Sequence, residues 1–296
     1  MESESRTIMN DAPQEGENPR LPAILYLVPT PIGNLEDITL RALRILNSVD
    51  RILAEDTRHT ARLLGHHGIA TPMSPFHEHN AQSRIGPALA DLAAGRSLAL
   101  VSDAGSPGIS DPGAPLVRAV VDAGYRVEAL PGATALIPAL TASGLDARRF
   151  AFEGFPPRKS GQLRAFFADL AQEPRTLILY ESPRRLADTL NIAAQELGAD
   201  RPACVARELT KLYETLHRGT LGELAEQFTA EAPRGEIVLV IAGADVEAAR
   251  QALDPEQVVR ELLESGLSVK EAAKEAAKQT GRRKSEMYDV AVKLKG

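Results

Sequence analysis

Cysteine is almost absent from this chain of 296 residues: Cys204 stands alone. A single thiol excludes an intrachain disulfide framework and any Cys-rich zinc or iron–sulfur cluster. It suits a reducing compartment, so the expected location is cytoplasmic. No apolar run approaches the ~18 uncharged residues that cross a bilayer as a helix, which excludes an integral helical membrane protein. Two nucleotide signatures are also missing, the G-x-G-x-x-G dinucleotide fingerprint and the G-x-x-x-x-G-K-[ST] phosphate loop. Phosphoryl transfer from a nucleotide therefore loses its usual support. Pro and Gly follow no strict period, and no solenoid repeat is found.

What is present is the composition of a globular protein, 44% hydrophobic and 25% charged, with 34 Lys and Arg against 40 Asp and Glu for a net charge of −6. At about 150 residues per domain, this length suggests two domains. The opening MESESRTIMNDAPQEGENPR carries five acidic residues and no apolar core, so it reads as neither a secretory signal nor an Arg-rich transit peptide. A disordered tail over residues 1–20 is the expectation.

From Ala23 the pattern becomes regular. AILYLVP reads as a buried strand, ITLRALRIL as a helix, DRILAED as a strand, and DTRHTARLL as a helix capped by Asp56. The alternation continues through a helix over residues 81–94, the strand SLALVSD, the helix PLVRAVVDAG and the strand RVEAL. Such alternation implies crossover units and a largely parallel sheet, with ligands at the carboxyl ends of the strands. A second α/β block starts near Phe150 with RFAFEGF, followed by the strands TLILYES, ACVAREL and EIVLVIAG and their intervening helices. The expected domains are residues 21–146 and 147–246, meeting near residues 144–149. Residues 250–296 form a third segment of three short helices punctuated by Gly266 and Gly281, with Ser268 and Glu271 spaced as a capping box. Residues 270–296 hold 8 Lys or Arg against 4 Asp or Glu, so this appendage is basic within an acidic protein. It faces a polyanion or simply water.

The chemistry-bearing stretch is VSDAGSPGISDPG, residues 101–113, directly after a strand. Three glycines, two prolines and small or acidic residues between them describe a loop whose backbone comes close to something. Such a loop holds a ligand through main-chain N–H and C=O groups rather than side-chain charge. PTPIGN at residues 29–34 and LPGATA at residues 130–135 fall at corresponding strand ends. Each alone is ordinary turn chemistry, but three on one rim are less so. His77 and His79 in FHEHN lack the further ligands that would complete a metal site, so no metal is expected there.

The strings LYLVPTPIGNLEDITLRAL, AEDTRHTARLL, VSDAGSPGISDPG, LPGATALIPALTASG, FEGFPPRK, YESPRRL and ARELTK together resemble the ribosomal small-subunit methyltransferase I family. That family belongs to the tetrapyrrole-methylase-like enzymes that use S-adenosyl-L-methionine (AdoMet). The likeness runs from about Leu21 to the C-terminal appendage. It implies an α/β fold of two α/β domains of tetrapyrrole-methylase type, with the cofactor in the cleft between them and a small C-terminal helical module. It further implies a homodimer that methylates the ribose 2′-oxygen of a cytidine in 16S ribosomal RNA of the small subunit. Carried over by position, the cofactor contacts fall on Pro31, on Gly105, Ser106, Pro107 and Ile109, and on Thr134 and Ala135. From the second block they fall on Glu181, Leu209 and Gly235. Relatives that methylate tetrapyrrole carbons typically carry Gly-Asp-Pro where this chain has Gly105-Ser106-Pro107, which argues against a tetrapyrrole acceptor.

A ribose hydroxyl is a poor acid, so a base or cation that helps its proton leave adds on the order of 10²-fold or more. The candidates are Lys159, Glu208 and Lys211, with Glu55, Asp56, Arg58 and Asp103 in the first block. Asp56 is equally explained as a helix cap, and Arg58, Lys159 and Arg184 as phosphate contacts. RNA-binding candidates are Arg58, Arg158, Arg184, Arg185, Arg282, Arg283 and Lys284, since local rather than net charge governs binding. The alternatives left open are an AdoMet-dependent methylase of a tetrapyrrole or protein acceptor, and a non-catalytic RNA-binding ribosome-assembly factor.

Overall fold

Short runs of Leu, Ile, Val and Ala build the first sheet of this computed structural model, which describes residues 22–245 and 253–295. The expected tail at residues 1–20 lies outside the described residues. The chain divides into two compact units, one running to Ala135 with Thr210–Leu212 added, the other comprising Leu136–Leu209 and the chain from Tyr213.

In the first unit, β1 (Ile24–Leu27), β2 (Arg51–Ala54), β3 (Met73–Pro75), β4 (Leu98–Val101) and β5 (Arg126–Ala129) form one sheet in the order β3-β2-β4-β1-β5. Every pairing is parallel, as the sequence alternation implies. A parallel sheet is covered on both faces, and the core divides accordingly. Ile24, Tyr26, Ile52 and Ala99 face α1 (Leu40–Ser48) and α2 (Thr57–His66). Leu25, Leu53, Leu98 and Leu100 face α3 (Ala81–Ala93) and α4 (Ala114–Asp122). Helix α1 starts two residues later than its apolar spacing suggests. Residues Leu35–Asp37 form a 3₁₀ turn, and the Thr39 hydroxyl, accepting from the Ala42 amide at 3.1 Å, fixes the N-terminus.

The second unit opens with α5 (Leu136–Ser143), so the division falls at Ala135, ahead of the break near residues 144–149 that composition suggests. The reason is packing. Arg218 donates to the Ala142 and Ser143 carbonyls, the latter at 3.1 Å, and α5 lies against β8 (Pro202–Arg207), β9 (Thr215–Thr220) and β10 (Ile237–Ile241). With β6 (Phe150–Gly154) and β7 (Thr176–Glu181) these strands form a sheet in the order β6-β7-β10-β8-β9. Only β6 and β7 run parallel; the other three pairings are antiparallel. Strand β10, IVLVI, is buried throughout and sits at the centre. Helices α6 (Ser160–Asp169), α7 (Leu186–Leu197) and α8 (Leu221–Ala230) complete the layer, with Leu163, Phe167, Leu190, Leu224 and Phe228 in one core.

The C-terminal segment forms α9 (Pro255–Glu264), α10 (Val269–Thr280) and α11 (Lys284–Lys295) around Val259, Ala273, Ala276, Met287 and Ala291. The Ser268–Glu271 capping box is present, and left-handed Gly281 ends α10.

Candidate active site

Three loops leave the carboxyl ends of three adjacent strands, β4, β1 and β5, and the backbone ties them together. Thr30 after β1 and Gly105 after β4 exchange two main-chain hydrogen bonds, at 3.0 and 2.9 Å. The buried Thr30 hydroxyl donates to the Ser102 carbonyl at 3.1 Å. On the other side, the Ser106 hydroxyl donates to the Ala133 carbonyl in the loop after β5, at 3.2 Å. A Cβ on Gly132 would lie 2.7 Å from Pro29 Cβ, so the third loop fits against the first only because residue 132 lacks a side chain. Pro31, Gly105, Ser106, Pro107, Ile109, Thr134 and Ala135 thus gather on one backbone-lined rim.

Asp111 holds the middle loop in shape. Its carboxylate accepts from the Gly108 and Gly113 amides, the latter at 3.2 Å. Burial pushes the Asp111 carboxyl above its ordinary value, against the pull of those donors. Sequence reasoning missed this role; the available signal was an Asp-Pro-Gly closing a glycine-rich loop. Left-handed Gly105 (φ +83°) and Gly108 (φ +91°) explain why glycine stands at both turns.

The acidic candidates after β2 and β4 are cross-links. Asp103 Oδ1 accepts from the Asp56 amide at 3.0 Å, and Glu55 Oε2 accepts from the Asp103 amide at 3.3 Å. Burial foremost, then the nearby Asp103 and Asp111 charges, raise the Glu55 pKa. Asp56 caps α2, accepting from the Arg58 amide at 2.8 Å. The Arg58 guanidinium, 3.0 Å away, helps hold the Asp56 carboxyl down to about 2. Arg58 is therefore an exposed cation already paired with an acid. A cleft of about 150 Å³ adjoins the rim between Thr30, Pro31, His59, Arg62, Ser102 and Asp103.

Comparison with known proteins supplies the family. Residues 24–225 match the family of tetrapyrrole (corrin/porphyrin) methylases, and residues 249–295 match the RsmI C-terminal HTH domain. The chain is 48% identical over 274 residues to the ribosomal RNA small subunit methyltransferase I of Synechocystis sp., covering 92% of this chain and 98% of that protein. The protein of the same name from Escherichia coli O157:H7 is 46% identical, covering 92% and 96%. This chain belongs to the ribosomal RNA small subunit methyltransferase I family. The fold is shared at low identity with solved methyltransferases. One is a cobalt precorrin-4 methyltransferase (TM-score 0.57, 18% identity, 74% of this chain and 95% of that one). Another is the uroporphyrin-III C-methyltransferase of Thermus thermophilus complexed with S-adenyl homocysteine (TM-score 0.51, 22% identity, 73% and 96%).

Within this methyltransferase I chain, the candidates of the second unit divide. The Glu181 side chain is 0% exposed, accepting from the Thr189 hydroxyl at 2.6 Å and the Ser182 amide at 2.7 Å, with Arg185 at 3.4 Å. Its carboxylate is engaged inside the fold, so the structure gives this side chain a bracing role. Arg185 is likewise drawn inward, donating to the Pro156 and Pro157 carbonyls. Leu209 is buried. Glu208, at φ +52°, accepts from the Glu236 amide at 2.9 Å and packs over Gly235, which has no room for a Cβ. Those residues form a lock between the ends of β8 and β10. Lys211 belongs to the first unit, where its aliphatic chain lies over Gly33 in the loop after β1. Arg158, Lys159, Arg184, Arg282, Arg283 and Lys284 are all exposed. Among the described residues no group of three or more His, Cys, Asp or Glu side chains is placed to hold a metal ion.

Proposed function

We propose that this chain transfers the methyl group of AdoMet to the ribose 2′-hydroxyl of a cytidine in 16S ribosomal RNA. The observation that carries the reading is the backbone-lined rim, in a chain that belongs to the methyltransferase I family. The residues present fit the cofactor: main-chain groups, two left-handed glycines and small side chains line the rim, and those two backbone conformations suit no β-branched residue. Pro31, Gly105, Ser106, Pro107, Ile109, Thr134 and Ala135 would hold it. AdoMet supplies a methyl group already activated on a sulfonium.

What remains for the protein is alignment of the hydroxyl, exclusion of water and removal of one proton. Of Lys159, Glu208 and Lys211, the position of Lys211 favours it, because its side chain runs along the loop that carries Pro31. As an ammonium it stabilises the developing alkoxide electrostatically and takes no proton itself, the hydroxyl proton passing to water. Lys159 stands exposed at the start of α6 and suits a phosphate. The reaction belongs to the cytoplasm, and the enzyme acts as a homodimer. The 88% and 68% exposure of Leu212 and Tyr213 supports such an interface.

The deciding experiment incubates the protein with labelled AdoMet and small ribosomal subunits from cells lacking this gene, alongside uroporphyrinogen and ribosomal protein. Label resistant to alkali at a single cytidine linkage is the expected result. Label in a tetrapyrrole or a protein, or no AdoMet binding by calorimetry, would overturn it. Sedimentation of the purified protein at one protomer mass would reject the dimer.

A further inference from the structure

The turn that follows β6 presents a large ring to solvent on a rigid base. Phe155 is 60% exposed. Its ring rests edge-to-face on Tyr180 of β7 at 5.6 Å, and Tyr180 rests in the same way on Phe152 at 4.9 Å. The approach to the turn is kinked by an irregular register at Phe152 and Gly154, and Gly154 adopts φ +65°. Beyond Phe155 come Pro156 and Pro157, each with a ring-restricted φ. The Arg185 guanidinium grips both proline carbonyls, at 3.2 and 2.7 Å, and is itself steadied by the buried Glu181 carboxylate. Exposing an aromatic ring gains the fold nothing. Here that exposed ring is backed by two further aromatic rings, and its turn is clamped by an arginine paired with a buried carboxylate.

Three cations surround the turn in sequence. Arg158 and Lys159 follow the two prolines, and Arg184 precedes the clamp. All three are exposed, and among the described residues none has an ion-pair partner, in a chain whose net charge is −6. A pre-set ring flanked by unpaired cations is the composition of a single-stranded nucleic-acid platform, where a base stacks and phosphates meet the charges. We propose that Phe155 is a base-stacking platform for an unpaired nucleotide of the RNA substrate, with Arg158, Lys159 and Arg184 holding its backbone. This rests on the RNA reading above and adds a residue that specifies unpaired substrate. A second copy of this chain suits the surface less well, because a two-fold contact would set the same three cations against themselves.

Since the chain has no tryptophan, Phe155→Trp introduces a unique fluorophore at the point where stacking is proposed. Its emission should be quenched by a short oligocytidylate and by small subunits, but not by a duplex containing the same strand. Phe155→Ala should raise the KM for small subunits by about 5- to 100-fold, the range for loss of one stacked base. The KM for AdoMet and the melting temperature should stay unchanged, and Phe155→Tyr should retain wild-type values. Absence of quenching, or an alanine variant within two-fold of wild type, overturns the platform. A changed oligomeric mass with unchanged subunit KM overturns it in favour of a protein interface. Quenching needs no methyl transfer, so intact quenching with no transfer to ribosomal RNA would defeat the assigned reaction and leave the platform standing.

Discussion

The two units each carry a five-stranded sheet, yet they hold their candidate functional groups in opposite ways. In the first, all strands are parallel, so β1, β4 and β5 deliver their loops to the same edge, where backbone groups of the three loops meet. In the second, β10 runs antiparallel to both neighbours and β9 antiparallel to β8, so amino and carboxyl ends of strands share each edge. Its polar pairs, buried Glu181 with half-buried Arg185 and half-buried Glu208 with the Glu236 amide, brace turns from which exposed side chains project. Parallel topology gathers following loops at one edge; mixed topology divides them between two.

The hardest test of that contrast is Glu181→Ala. If Glu181 braces the fold, its removal leaves Arg185 and Thr189 without their acceptor and lowers unfolding stability by about 3 kcal/mol in urea titrations. AdoMet affinity at temperatures where the variant is folded should be unchanged. A stable variant with weak cofactor binding would instead make Glu181 part of the cofactor site.

Gly105→Val addresses the other side. Space at Gly105 is adequate, since a Cβ there would lie 3.6 Å from Ile32 Cγ2, so the damage comes from the left-handed φ of +83°, which a β-branched residue resists. AdoMet affinity should fall by about 100-fold or more in calorimetry, equivalent to ~2.7 kcal/mol. A silent substitution would mean that the rim does not hold the cofactor.

A smaller effect is expected from the joint change of Arg282, Arg283 and Lys284 to alanine. These residues are exposed in the C-terminal module, and their loss should weaken RNA binding by about 10-fold and flatten its salt dependence, by about 2 in the log–log slope for a single strand. Equal slopes would make that face merely solvated.

The smallest change expected is in Asp111→Asn. The raised pKa of Asp111 means the fold prefers its neutral form, so its stabilising contribution is full below the ordinary value of 3.8 and is lost as pH rises through the raised folded value. The asparagine variant should therefore melt about 2 °C above wild type at pH 7, with the gap closing towards pH 3. A constant gap across that range would remove charge burial as the cause.

Much of the first unit was legible beforehand, because buried parallel strands are continuous apolar runs and their loops announce themselves by glycine and proline. Two of the edge strands were not. Thr215–Thr220 reads TLHRGT and Met73–Pro75 reads MSP, and edge strands bury too little to need an apolar pattern. The three loops that meet at the rim were legible as a set, whereas the part of Asp111 was not, since it exists only when Gly108 and Gly113 fold back towards it. Glu181 and Arg185 read as surface chemistry in YESPRRL because spacing does not reveal burial. Phe155 was hidden within a motif for the same reason.

The sequence alone determined the strand and helix alternation, the three glycine-bearing loops and the basic final segment, since each depends on local preference and on apolar period. Tertiary structure alone decided which charges are free and which are spent. Whether Glu181, Arg185 and Glu208 face solvent or brace a turn depends on partners distant in the chain, and only folding brings those within hydrogen-bond reach.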